Sequence, residues 1–156
     1  VVWTSPPGPK VWRTVLERVA PTTVYLFGVN PGLDTPQAFL ERLVGLVKHA
    51  LRAEGGQNSG VVLHLADLAI ATAQREITVH KGLLWLTAKG YVIVLEEGEH
   101  TVRLRLREPT GDSSRALGVT SEMEVSAIAG ELKALLDETV AYRRYFMRVE
   151  KDRLLP

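Results

Sequence analysis

The spacing of apolar residues changes period several times along the chain, and each change predicts a boundary. Val1-Val-Trp-Thr4 reads as a strand, and Ser5-Pro-Pro-Gly-Pro9 as a turn. From Lys10 to Ala20 the spacing is helical, with Val11, Trp12, Val15, Leu16 and Val19 as the predicted buried face. Pro9 suits the first helical position and Pro21 stops the helix. Thr22-Thr-Val-Tyr-Leu-Phe27 is then a second strand. Strand, helix and strand in that order predict a right-handed βαβ unit with parallel strands over residues 1–33. Two strands alone make a poor sheet, so this unit is expected to complete, or pack on, a larger α/β layer.

Asn30-Pro-Gly32 is a turn, and Thr35 can cap a helix that starts at Pro36 and runs to about Glu54. Its core face is Phe39, Leu40, Leu43, Val44, Val47, Ala50 and Leu51, and Gly55-Gly56 ends it. Val61-Val-Leu63 fits a short strand. Leu65 to Thr72 follows as a helix with Leu65, Leu68, Ala69 and Ala71 to Ala73 on one face, and Ala73-Gln-Arg75 as a turn. The next helix spans Ile77 to Lys89, its buried stripe formed by Val79, Leu83 and Leu86. Gly90 suits a left-handed cap.

After Gly90 the period falls to about two. Tyr91 to Leu95 reads as a strand, Glu96 to Glu99 as a turn, and Thr101 to Arg107 as the return strand. Helix, strand, helix, helix, strand, strand is the order of a winged helix-turn-helix, assigned to residues 34–108. Residues 109–120 are a polar linker. Ser121-Glu-Met-Glu124 then forms a capping box that opens a long helix to about Val149, within a segment covering residues 121–156. Its predicted stripe is Leu132, Leu135, Thr139, Tyr142 and Phe146, with Gly130 as a weak point. The fold class is therefore α+β: a βαβ unit, a winged helix-turn-helix and a C-terminal helix.

Val102, Leu104 and Leu106 alternate with Arg103, Arg105 and Arg107 on the return strand. Three guanidinium groups about 7 Å apart on one strand face match phosphate spacing along a nucleic-acid backbone. The alternative is a solvated face beside Glu96, Glu97 and Glu99. On the second helix of the motif Thr78, His80 and Lys81 suit a recognition surface, with Arg75 just before it. Leu84 and Trp85 do not, and Glu76 has the wrong sign for phosphate. An exposed Leu84–Trp85 pair points to docking on a neighbouring element or partner, so reading of base sequence is not expected. The basic cluster Arg143, Arg144, Arg148, Lys151 and Arg153 fits either partners of the helix dipole or a patch for nucleic acid or an acidic partner.

Composition narrows the classes. A net charge of +1, from 19 basic and 18 acidic residues, gives no global attraction to nucleic acid, so any basic surface is local. The absence of cysteine excludes disulfides, thiolate zinc sites and cysteine nucleophiles, and fits an intracellular, cytoplasmic protein. No apolar run reaches the roughly 18 residues of a membrane span, and no signal peptide is visible. The four histidines lie on different elements without metal-binding spacing, and no nucleophile motif or clustered acid pair is present. Ser5-Pro-Pro-Gly8 lacks the phosphate-loop spacings, and its prolines lack amide donors. The chain opens without methionine inside an apolar run, so a piece of a longer polypeptide is expected.

Three stretches carry a resemblance: Val1 to Pro7 with Thr23 to Phe27, the run Leu65 to Ala69 through Leu83 to Gly90, and the tail Glu138 to Phe146. Together they resemble the C-terminal region of the RecJ family, bacterial 5′-to-3′ exonucleases specific for single-stranded DNA. The resemblance implies an accessory domain of a DNA-repair nuclease that helps hold single-stranded DNA or docks a repair protein or another domain of the parent. The family's Asp-His-His motifs, which hold manganese or magnesium, match no position here. The resemblance therefore implies no catalytic residue, metal ligand or cofactor in this stretch. Three readings follow: a RecJ-like accessory domain using Arg75, Thr78, Lys81, Arg103, Arg105 and Arg107; a protein-interaction winged helix using Leu84 and Trp85; and a free-standing transcriptional regulator.

Overall fold

The computed structural model describes residues 1–53, 60–107 and 121–154. The fold is mixed α+β. Its elements are β1 (Val2–Thr4), α1 (Pro9–Val19), β2 (Leu26–Val29), α2 (Pro36–Ala53), β3 (Val61–His64), α3 (Leu65–Thr72), α4 (Glu76–Ala88), β4 (Val92–Glu97), β5 (Thr101–Leu106) and α5 (Glu122–Arg148), closed by a short 3-10 turn at Lys151–Arg153. The linker expected at 109–120 and the Gly55-Gly56 helix stop lie outside the described residues.

Helix ends fall where local chemistry places them. Pro9 opens α1, and Ala20 closes it in the left-handed conformation, its N–H donating to the Leu16 carbonyl at 2.8 Å. Thr35 Oγ1 accepts the Ala38 N–H at 3.3 Å at the start of α2. Ala73 takes a left-handed φ of 51° and turns the chain from α3 into α4. Gly90, at φ 74°, follows α4 as its spacing predicts. The reciprocal Ser121–Glu124 capping box starts α5, which runs unbroken through Gly130.

Two sheets form. β1 and β2 pair in parallel, and β3, β5 and β4 make an antiparallel sheet with β5 in the centre. The larger core joins that sheet to α2, α3, α4 and the first half of α5. Phe39, Leu43, Val47 and Leu51 meet Val79, Leu83, Leu86, Leu104, Leu132 and Leu136 there, all buried. A smaller core forms where Trp12 of α1 meets Phe146 and Leu154, rings edge to face at 5.2 Å, with the Trp12 indole N–H donating to the Leu154 carbonyl at 2.6 Å. α5 thus serves both cores and is no separate C-terminal unit.

Four expectations are corrected. On α1 only Trp12 is buried and Leu16 partly so, while Val11, Val15 and Val19 stay exposed. One face of this short helix meets α5, and nothing among the described residues covers the rest. β2 starts at Leu26 instead of Thr22 and runs past Phe27 to Val29. Gly28 adopts φ 63° at an irregularity between the Val2 and Thr4 pairings, which lets pairing continue where the apolar run ends. The β4–β5 turn moves outward, because Glu96 pairs opposite Arg103 and Glu97 opposite Val102. On α5 the buried positions are Leu132, Leu136, Thr139, Arg143 and Phe146. Leu136 and Arg143 replace the expected Leu135 and Tyr142, one residue further round the helix.

Candidate nucleic-acid interface

β5 alternates as its sequence dictates. Val102 and Leu104 are buried beneath the sheet, and Arg103 and Arg105 point to the opposite face. Pairing places Val62 of β3 and Glu96 of β4 beside Arg103, and Ile93 of β4 beside Arg105. Arg107 continues the row one residue past the strand, its N–H donating to the Tyr91 carbonyl at 3.2 Å. The three arginines are therefore neighbours along the central strand.

The row is electrostatically uneven. At the hairpin end Glu96 lies 3.9 Å from Arg103, and Glu97 and Glu99 are close in sequence. Arg105 and Arg107 form no ion pair among the described residues, and Arg105 Nε is buried without a hydrogen-bond partner there. The cationic end is the base of the hairpin, beside Gly90.

The α4 residues behave differently. Thr78 is fully buried, so its expected contact with nucleic acid is ruled out by packing. Arg75 is turned inward: Nη2 donates to the Leu135 carbonyl at 3.2 Å and to Glu138 at 2.5 Å. Lys81 sits 2.5 Å from Glu131. All three of these partners belong to α5, which lies along the face that a recognition helix would present. Leu84 and Trp85 are half-buried, and Trp85 packs against the larger core. His80 meets Glu97 at 2.6 Å, a contact between α4 and the hairpin.

Of the expected basic tail, Arg143 is lost to the interior, 6% exposed. Arg144, Arg148 and Arg153 remain on the surface. Among the described residues no group of His, Asp and Glu side chains comes together to hold a metal ion.

Residue-by-residue reading missed Lys89 and Tyr91. The hairpin register pairs Val92 with Leu106, which puts Tyr91 opposite Arg107. Locating the turn does not give that register: continued from Glu96–Arg103 it would set Val92 opposite Arg107, and the irregularity between Val94 and Glu96 shifts it by one residue. Tyr91 is 57% exposed, and its ring lies 6.2 Å from that of Trp85. Lys89 Nζ stands 5.9 Å from the Trp85 ring centre.

A second surface is apolar. Trp3 and Phe27 stack at 4.6 Å on the outer face of the parallel pair, 63% and 55% exposed, with Tyr25 next to Leu26 at 60%. No helix among the described residues is long and apolar enough to cross a membrane. No family model, curated protein or solved structure matches the chain.

Proposed function

We propose that the chain is a winged-helix accessory module of a RecJ-like single-strand-specific exonuclease, itself non-catalytic, which helps hold DNA during repair in the cytoplasm. The observation that carries the reading is the arginine row Arg103, Arg105 and Arg107 on the solvent face of the central strand. The element order from α2 to β5 supports the winged-helix part. In this module α4 is not the reading element, because α5 covers it, and the sheet takes the phosphates. Backbone contact of this kind is weak, independent of sequence and steeply dependent on salt. The manganese or magnesium of such a nuclease belongs to the parent's catalytic part, and no residue of this chain is assigned to it.

DNA binding at two salt concentrations tests the reading. Binding should weaken steeply as salt rises, and the triple variant Arg103→Glu, Arg105→Glu, Arg107→Glu should abolish it. No binding by the unaltered chain at low salt would overturn the proposal.

A second reading has its own observation. Parallel sheets normally have both faces covered, and the Trp3–Phe27 face is bare. That favours docking of this side on another domain or a repair protein, and relocates the expected docking surface away from Leu84 and Trp85.

A further inference from the structure

At the base of the hairpin, cations and aromatic rings alternate within one small cluster. The Arg107 guanidinium lies over Gly90, where Nη1 stands 3.0 Å from the position a β-carbon would take. Tyr91 follows directly, its ring more than half exposed, and Trp85 with Lys89 closes the far side. Gly90 fits this place because its φ of 74° disfavours a side chain.

We infer that this cluster binds unpaired nucleotides, with a base stacked on the exposed face of Tyr91 and the adjoining phosphates on Arg107 and Arg105. The inference rests on the proposed phosphate-binding role of the arginine row and adds what that role leaves open, a side chain that contacts a base. Three observations support it. The ring is exposed beside two arginines that form no ion pair among the described residues. The carboxylates Glu96, Glu97 and Glu99 gather at the opposite end of the hairpin, so a polyanion is steered toward Tyr91. In a duplex the bases are stacked on one another and their faces are unavailable to a protein ring; in a single strand they are free. Glu122 lines the groove beside Trp85 and Lys89, a negative charge that disfavours phosphates on that side.

The test uses fluorescence anisotropy at low salt with three labelled probes: a thymidine oligonucleotide, an abasic oligomer of equal length, and a duplex. The unaltered chain should bind the thymidine oligonucleotide about tenfold more tightly than the abasic oligomer, the contribution of one stacked base. Tyr91→Ala should remove that discrimination and leave the salt slope unchanged. Tyr91→Phe should retain it, and both variants should melt at the temperature of the parent because the ring is exposed. Equal binding of thymidine and abasic probes, tighter binding of duplex, or a Tyr91→Ala variant that still discriminates would each overturn the inference while the phosphate role stands. Failure of all three probes to bind would overturn both.

Discussion

Arg143 of α5 and Asp34, in the segment leading into α2, form a buried ion pair with side-chain exposures of 7% and 14%. The same guanidinium donates through Nε to the Ser5 carbonyl at 3.0 Å and through Nη2 to the Ala73 carbonyl. Gln74 Nε2 donates to the Asp34 carboxylate at 2.8 Å. One side chain thus joins the β1–α1 loop, the approach to α2 and the α3–α4 turn, between the two hydrophobic cores. Removing one partner of such a pair leaves an uncompensated buried charge.

Arg143→Ala or Asp34→Ala should therefore cost about 3–5 kcal/mol of stability, read by urea unfolding. The double variant should cost much less than the sum of the singles. Arg143→Lys should recover little, since an ammonium cannot reproduce the planar fork that reaches three acceptors. Additive single costs would show that the two residues do not stabilise the fold as a pair.

Thr78 is fully buried, and its hydroxyl finds no hydrogen-bond partner among the described residues. Replacing an unsatisfied hydroxyl by a methyl group of similar shape should stabilise. Thr78→Val is expected to raise stability by about 1 kcal/mol and, under the proposed DNA-binding role, to leave DNA affinity unchanged. A loss of affinity with the fold intact would return α4 to the binding surface.

Gly82 marks the close approach of α4 to α2. A β-carbon there would lie 2.7 Å from Phe39 and 2.8 Å from Leu43, both fully buried. Gly82→Ala should destabilise by about 1–3 kcal/mol through overpacking, although alanine is the better helix former. Thermal melts of the two proteins decide it, and an unchanged melting temperature would mean that the helices can move apart freely.

Burial, and secondarily the charge of Tyr145, raises the pKa of Tyr142 above the ordinary tyrosine value of 10.0. The folded chain then keeps this proton at a pH where the unfolded chain has lost it. The associated stability is complete below 10.0 and is lost as pH rises through the elevated value. Phenolate absorbance should show one late-titrating tyrosine, and Tyr142→Phe should remove it and flatten the alkaline fall in stability. Absence of any late phase that Tyr142→Phe removes would contradict the partial burial of this ring.

The hydrophobic pattern and the caps by themselves determined the number and order of elements from α2 to α5. Those signals are local: Thr35, Gly90 and Ser121 act within a turn of their own position, and Val79, Leu83 and Leu86 share a face wherever the helix lies. The alternation of β5 likewise placed Arg103 and Arg105 opposite Val102 and Leu104 before any partner was known. Tertiary structure decided which of two equally periodic stripes of α5 turns inward. Hydrophobicity favoured Tyr142, but Asp34 and the carbonyls of Ser5 and Ala73, all distant in sequence, make burial of Arg143 possible. It also decided the fate of Arg75 and Lys81, which look like a recognition surface until α5 supplies their partners, and of Thr78, which the core buries. A residue's exposure depends on what the rest of the chain brings to it, and periodicity carries no record of that neighbour.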